Sequence, residues 1–384
     1  MSHSKFSASA SARWLACPGS MVLSKDLPNT SSPYAREGTA AHELAATVLT
    51  KGTMPSDHIG DVIVVEGEQF IVDEEMAQHV GRYVDLVRSI DGSLFVEVKV
   101  HYHSALVVEP DQAFGTADAI IVGGDTLTVC DMKFGRGDPV QAEDNSQMML
   151  YAIGALGALE GLCDDITKVR MIIAQPRLNA YPEHTVTLAE LRAFASRAAD
   201  AVMRIDDAHE AFDPKVHLVV GEKQCRWCLA KATCPALVQT VIEEFDVEPS
   251  ADADIGALMN KVGLIEDWCK AVRAEAERRL LAGTPVAGWK LVQGRRGNRA
   301  WANEAEVLEM MKNTFRLKDD IVYSRTLVSP AQAEKTIGKE YPRRWATLQK
   351  LITQSEGKPS VAPVSDPRPT LDIRPVVEDF KDET

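Results

Sequence analysis

The fold is decided by the stretch GTADAIIVGGDTLTVCDMK at residues 115–133. Two apolar runs flank a Gly-Gly-Asp turn and predict two adjacent strands, Gly115 to Val122 and Thr126 to Phe134. Asp131 and Lys133 are two residues apart in the second strand, so their side chains point to the same face. A turn of two or four residues places Asp118 on that face as well. The sequence therefore predicts that two carboxylates and one ammonium converge.

Such a group is costly to bury beside apolar strand residues unless a cation compensates the carboxylates. Hard oxygen ligands favour Mg²⁺ or Mn²⁺, which activate water and neutralise charge on a phosphodiester. Lys133 would orient or deprotonate the attacking water. Taken alone, however, Asp-x-Lys is more often a solvated strand edge with an exposed ion pair. The chemical interpretation therefore depends on the motifs around it.

Two further motifs lie on predicted helices. His42 follows Gly38 near the start of a helix from about Thr39 to Lys51, where its imidazole could reach the same ion. Gln147 and Tyr151 are four residues apart on a helix predicted between residues 141 and 160, so they share a face. Each has an ordinary alternative: a helix cap or surface residue for the histidine, and helix packing for the other pair.

In this order, His42, Asp118, Asp131 with Lys133, and Gln147 with Tyr151 resemble the RecB-like branch of the PD-(D/E)xK nuclease superfamily. The resemblance implies an α/β fold with a restriction-endonuclease-like core, in which a central mixed sheet is flanked by helices. It also implies that the metal ligands are His42, Asp118, Asp131 and the backbone carbonyl of Met132. Gln147 and Tyr151 would contact DNA near the cleaved phosphate.

The chain has seven cysteines, which in a cytosolic protein indicate metal binding or catalysis rather than disulfides. Cys225, Cys228 and Cys234 form a C-x2-C-x5-C trio. We predict that the fourth ligand is Cys17. The others lie in apolar or helical contexts typical of ordinary buried thiols: Cys130, Cys163 and Cys269. Four thiolates suit zinc and an iron-sulfur cluster equally well.

The spacing of one distant cysteine and a close trio is similar to that of the iron-sulfur nucleases of the AddB and CRISPR-adaptation type. This resemblance implies a [4Fe-4S] cluster, with Zn²⁺ as the alternative, that ties together the ends of the nuclease domain.

The net charge of −14 argues against a general polyanion binder, because affinity for nucleic acid comes largely from Lys and Arg on phosphates. Any DNA contact must be a local basic patch. Two candidate patches are Lys223, Arg226, Trp227 and Lys231 among the cysteines, and Arg295, Arg296 and Arg299 in a Gly-flanked turn. Ordinary solvated loops are the alternative for both.

The sequence suggests three regions: a nuclease domain at 1–245, an α/β accessory region at 246–357, and an extended or disordered tail at 358–384. The boundary is a linker near Asp246 to Asp254, and the tail carries five prolines. Segments of the last third resemble the end of a phage and prophage family of RecB-like proteins of unsettled function. Further predicted elements are the strands Leu94 to Tyr102, Val169 to Ala174 and Val286 to Gln293, and the helices Leu188 to His209 and Ile255 to Leu281.

We therefore expect a Mg²⁺- or Mn²⁺-dependent deoxyribonuclease, an exonuclease on DNA ends or single strands. Phage or prophage DNA recombination, replication or processing in the bacterial cytoplasm would be its setting, with recombination or replication proteins as possible partners. No membrane is expected, because no apolar run reaches the ~18 residues that a span needs. The alternative is a non-catalytic nucleic-acid-binding or scaffolding protein with the same fold, which would have no need to gather these ion-binding side chains.

Overall fold

The computed structural model describes residues 4–28, 32–137, 139–245 and 255–290, with short pieces beyond them that include a helix at Pro342–Gln349. By compactness the chain divides into two units, Met1–Val292 and Gln293–Thr384. The predicted linker at 246–254 and the predicted tail at 358–384 lie outside the described residues, so both stay predictions. Among the described helices, none has the length and apolar character to cross a membrane.

A five-stranded mixed sheet forms the centre of the first unit, in the order β3-β4-β5-β6-β7. The pair β5 and β6 is parallel, and the other neighbours are antiparallel. A separate hairpin pairs β1 with β2. The strands are β1 Val62–Val65, β2 Glu68–Ile71, β3 Ser93–His101, β4 Phe114–Gly123, β5 Thr126–Met132, β6 Lys168–Ala174 and β7 Glu183–Thr187.

Helices cover both faces of this sheet. The helices are α1 Ser11–Ala16, α2 Gly19–Ser24, α3 Pro33–Lys51, α4 Glu74–Arg88, α5 His103–Leu106, α6 Ser146–Ala158, α7 Leu188–Glu210, α8 Pro214–His217, α9 Glu222–Arg226, α10 Pro235–Phe245 and α11 Ile255–Leu281. Ile120 and Val129 pack with residues of α6 and α7 on one face, whereas Ile121 and Cys130 pack with residues of α3 and α4 on the other. Because both faces are covered, apolar residues of both central strands follow one another without a polar residue at every second position. A mixed α/β fold with a central sheet between helices is confirmed.

The central hairpin forms as the Gly-Gly-Asp turn predicts. Gly123 pairs with Thr126, which leaves Gly124 and Asp125 as a two-residue loop, and Gly124 has a φ of 56°. The even spacing across this loop places residues 118 and 131 opposite each other, as the register rule requires.

Several elements differ from the prediction. No strand was expected at β7, and no separate element between residues 51 and 94, where β1, β2 and α4 lie. The predicted strand from Val286 is wrong in its described part: residues 286–290 form a turn closed by a bridge between Val286 and Trp289. Gly288, with a φ of 78°, reverses the chain there. Residues 291–293 lie outside the described part.

Candidate functional site

Helix α3 carries His42 to the sheet. The helix begins at Pro33, where the Ser32 side chain accepts a hydrogen bond from the N–H of Ala35, so His42 lies in its middle and not near its start as predicted. Its Nδ1 is 3.2 Å from Oδ1 of Asp118. Burial lowers the pKa of His42, but the adjacent Asp118 carboxylate outweighs this and leaves the pKa raised. The imidazole therefore faces a negative charge, as a ligand or a cation partner would.

The position of α3 is fixed by Arg177, which follows β6. Its guanidinium donates to both carboxylate oxygens of Glu37, at 3.0 and 2.5 Å, and lies 4.1 Å from the ring centroid of Phe134. Glu37 lies on α3 and Phe134 directly follows Lys133. The helix that carries His42 is thus tied to the segment that leaves β5.

Asp118 joins two strands through its side chain. The β4–β5 ladder runs up to the pair Ala119 and Cys130, and the next backbone N–H, that of Met132, donates to Oδ2 of Asp118 at 2.7 Å. One carboxylate oxygen is therefore held by β5, while the other faces His42. The short polar side chain replaces a ladder bond and fixes its own orientation.

A continuous hydrogen-bond chain links β5 to α6. Lys133 Nζ lies 2.7 Å from Oδ2 of Asp131 and donates to Oε1 of Gln147 at 3.0 Å. Gln147 Nε2 lies 3.0 Å from Oδ1 of Asp131 and 3.3 Å from the hydroxyl of Tyr151. The four predicted residues are therefore brought together. Helix α6 starts at Ser146, where Asn145 accepts from the N–H of Met148. Its first turn therefore includes Gln147, the residue that contacts Lys133.

Gly115 makes room for this chain. A Cβ built on Gly115 would lie 2.7 Å from Cε1 of Tyr151. The glycine that precedes Asp118 by three residues thus has a packing role, because it lets the Tyr151 ring lie against β4.

Charge and burial oppose each other at Asp131, whose side chain is 3% exposed. Burial and the nearby Asp118 raise its pKa, and the ammonium of Lys133 offsets only part of that rise. Burial lowers the pKa of Lys133, but Asp131 more than compensates, so the pKa of the lysine is raised. Lys133 is therefore held as an ammonium, which suits it to donate to a water or a phosphate rather than to remove a proton.

The sequence did not predict Glu97. Its neighbours pair as Val96 with Ala119 and Val98 with Ala117, so Glu97 lies across from Asp118 in β3. Glu97, His42 and Asp118 each place one ligand atom within 4.8 Å of the others. Partial desolvation and the charge of Asp118 raise the pKa of Glu97 to about 7, although the residue as a whole is exposed. Three carboxylates thus lie side by side across three strands.

The four cysteines predicted to share a site lie in one region. All are free thiols; Cys17 and Cys225 are buried, and Cys228 and Cys234 are half-buried. The pKa of Cys225 is raised to about 11, first by burial and then by the nearby charges of the other three cysteines. Within the described chain, no three of these sulfurs lie within 4.8 Å of one another.

Backbone groups also reach one of these sulfurs. The N–H of Val219 donates to Cys17 Sγ at 3.4 Å. The remaining cysteines lie elsewhere: Cys130 is buried in the core, and Cys163 and Cys269 are half-buried rather than buried as expected.

The predicted basic patch beside the cysteines is exposed. The Trp227 ring is 76% exposed, and the guanidinium of Arg226 lies 5.5 Å from its centroid. Lys231 donates to the carbonyl of Arg226 at 2.7 Å. Lys223, Arg13 and Trp227 line one groove of about 400 Å³. The second predicted patch, Arg295, Arg296 and Arg299, lies outside the described residues.

Comparison with known proteins places most of the chain in one family. A family model described as "Protein of unknown function (DUF2800)" matches residues 3–369. The chain belongs to the DUF2800 family. The family description assigns no activity, so the chemistry of this DUF2800 chain has to be argued from its own residues.

One solved structure, titled "Crystal structure of SSO0001", is similar to the DUF2800 chain at 17% identity and a TM-score of 0.27. The similarity covers 58% of this chain and 83% of that one. It is too low to support a functional argument.

Proposed function

We propose that this DUF2800 protein is a metal-dependent nuclease that hydrolyses DNA phosphodiesters at ends or on single strands. The strongest support is the unbroken chain from Asp131 through Lys133 and Gln147 to Tyr151, next to the pair of Asp118 and His42. A buried carboxylate, an ammonium and an amide held in contact are costly to assemble for stability alone. Such an arrangement is typical of a catalytic site.

The donor atoms fit a hard divalent cation. Carboxylate oxygens and one imidazole nitrogen are acceptable ligands for Mg²⁺ or Mn²⁺. Although Lys133 lies 2.7 Å from Oδ2 of Asp131, this buried oxygen accepts no hydrogen bond of normal geometry from the described residues. We propose that His42, Asp118 and Asp131 hold the ion. The Met132 side chain packs in the apolar core, so we propose that this residue offers its backbone carbonyl.

A bound divalent ion would supply charge neutralisation on the phosphate and a lower pKa for a water molecule. The residues of the chain would do the positioning. Lys133, held as an ammonium, donates to the attacking water or to a phosphate oxygen. Gln147 contacts both Lys133 and Asp131 and so holds their side chains in position relative to each other. The hydroxyl of Tyr151 accepts a second hydrogen bond from Nε2 of Gln147 and so helps to orient the amide.

We propose that Cys17, Cys225, Cys228 and Cys234 bind a [4Fe-4S] cluster, with zinc as the alternative. Four thiolates fit either group, and the resemblance of the cysteine spacing to that of the iron-sulfur nucleases favours the cluster. Because Cys17 follows α1 and Cys234 precedes α10, the cluster would tie the start of the described core to its end.

The exposed Trp227, with Arg226 on it and Lys223 and Arg13 beside it, supports a single-stranded or end-bound DNA substrate. Bases stack on exposed aromatic rings, and cations in the same groove neutralise the backbone. This basic patch is local, as a chain with a net charge of −14 requires.

The test is degradation of 5′- and 3′-labelled single- and double-stranded DNA with Mn²⁺ by the full chain. We expect Asp118→Asn and Asp131→Asn each to reduce the cleavage rate at least ~100-fold, because each removes a charge that the cation and the transition state require. Asp125→Asn is the matched control, since Asp125 is an exposed aspartate in the turn of the same hairpin.

Circular dichroism spectra of all variants should overlay. Cleavage that persists in both Asp118→Asn and Asp131→Asn would contradict the proposed nuclease. DNA binding without cleavage by the wild type would favour a non-catalytic binding protein.

A further inference from the structure

One residue outside the sequence motifs, Glu97, places a ligand atom beside those of His42 and Asp118. His42, Glu97 and Asp118 come from one helix and two strands, and their ligand atoms all lie within 4.8 Å of one another. Asp131 lies outside this group of three, but its buried Oδ2 accepts no hydrogen bond of normal geometry from the described residues and is a further donor for the same ion. The two sets meet at Asp118, which faces His42 with Oδ1 and binds β5 with Oδ2.

The spacing suits a small divalent ion. Ligands on opposite sides of Mg²⁺ are about 4.2 Å apart, twice the bond length of about 2.1 Å. Atoms within 4.8 Å of one another need only a small side-chain movement to reach such a geometry. Without an ion, two carboxylates and the buried carboxylate of Asp131 face one another across three strands.

The second observation is Oδ2 of Asp131, which lacks a hydrogen bond of normal geometry although the side chain is only 3% exposed. The backbone of Glu97 is unusual as well. Its φ is 51°, in the left-handed region, within a nine-residue strand. A non-glycine residue is strained there, and such residues are enriched at functional sites. The neighbours of Glu97 pair normally with β4, so the distortion is confined to the residue opposite Asp118. A regular strand conformation at Glu97 would be more stable locally than the left-handed one.

We propose that Glu97 is a direct ligand of a divalent cation that it shares with His42 and Asp118. This inference rests on the proposed function insofar as the same site must bind a metal. Asp118 contributes one oxygen to this ion. The carboxylate of Glu97 adds a second negative charge from β3, a strand that carries none of the motif residues. The left-handed backbone presents that carboxylate from β3.

The experiment is calorimetric titration of Mn²⁺ into the full-length, metal-depleted protein, with the electron paramagnetic resonance signal of free Mn²⁺ as a second readout. The variant is Glu97→Gln, which keeps the size of the side chain and removes its charge. We expect Mn²⁺ to bind at least 10-fold more weakly. The matched control is Glu66→Gln, because Glu66 has a φ of 49° in the turn of another hairpin. Its affinity for Mn²⁺ should equal that of the wild type.

The outcomes separate this inference from the proposed nuclease. Wild-type affinity in Glu97→Gln, or an equal loss in Glu66→Gln, overturns the role of Glu97 and leaves the nuclease proposal standing. Loss of DNA cleavage in Asp118→Asn together with wild-type Mn²⁺ affinity in Glu97→Gln has the same meaning. Absence of Mn²⁺ binding by the wild type overturns both. Normal Mn²⁺ binding with no cleavage of any DNA overturns the nuclease alone.

Thermal unfolding with and without Mn²⁺ guards against a folding defect. A Glu97→Gln protein that unfolds at the wild-type temperature without metal, but gains less from added Mn²⁺, supports the inference. A gain equal to that of the wild type contradicts it.

Discussion

At the scale of single residues, Asp118 divides its two oxygens between different tasks. Oδ2 accepts from the N–H of Met132, and Oδ1 faces His42. An asparagine could keep only part of this arrangement, because its NH₂ group cannot accept a hydrogen bond. Asp118 therefore has two roles: it connects β4 to β5 and it presents a negative charge to His42.

Glu97 offers a prediction about stability. Glu97→Gly should raise the free energy of unfolding of the metal-free protein by about 1 kcal/mol, because relief of a left-handed φ outweighs the entropic cost of glycine in a strand. Urea denaturation in EDTA measures it. The same variant should bind Mn²⁺ more weakly, because glycine removes the carboxylate; stability would then be gained at the expense of metal binding. A Glu97→Gly protein less stable than the wild type would show that its backbone is not strained.

Residue spacing alone predicted that Asp118, Asp131 and Lys133 meet, because the two-residue period of a strand is rigid. The same two-residue period hid Glu97, because it assigned this residue to an ordinary exposed strand face. In the run Val96-Glu97-Val98-Lys99 the alternation is typical of a solvated face, and nothing in it signals a left-handed backbone. The residue becomes informative only when β4 places Asp118 opposite.

At the scale of secondary structure, α6 and β3 are packed closely at one glycine. A Cβ on Gly154 would lie 2.8 Å from Cβ of Val100, whereas a Cβ on Gly157 would meet nothing within 4 Å. Both glycines lie on the same helix, and only the first is needed for contact with the sheet. This difference gives a matched pair of substitutions.

We expect Gly154→Ala to lower the free energy of unfolding by about 1–3 kcal/mol, the usual cost of overpacking. Gly157→Ala should raise it by up to ~1 kcal/mol, since alanine favours a helix. Chemical denaturation of both variants checks the prediction. Equal effects would mean that α6 can move away from β3 at little cost.

Two of the strands that the sequence failed to predict share one property. β7 buries only Val186, and β2 buries none of its residues, so neither shows the clear alternation of a strand that covers a core. Apolar runs at β4 and β5 were predicted well because both faces are covered. Boundaries moved where caps decide them, at Ser32 and Asn145.

At the scale of the whole molecule, the cysteine region joins distant parts of the chain. Cys17 lies about two hundred residues before the trio, and the backbone N–H of Val219 reaches its sulfur. A ligand that bound all four thiols would close most of the described core into one loop. Its binding energy would then add to the stability of the fold.

Cys17→Ser should therefore reduce the iron content, remove an absorbance band near about 400 nm and lower the free energy of unfolding by several kcal/mol in anaerobically purified protein. Cys163→Ser, a half-buried thiol elsewhere, is the control. A colourless wild type with stoichiometric zinc would replace the iron-sulfur assignment by zinc. A wild type with neither metal would remove the metal assignment of these cysteines.

The end of β5 is held from both sides. The N–H of Met132 is bound by the Asp118 side chain, and the N–H of Lys133 donates to the carbonyl of Ala174 at 2.8 Å. Local opening of this tip requires both bonds to break. If the proposed function holds, a substrate would therefore have to adapt its own shape to Asp131 and Lys133. For the proposed DNA substrate, bending and strand separation would then occur in the nucleic acid, and a flexible end would reach the site more readily than the middle of a stiff duplex.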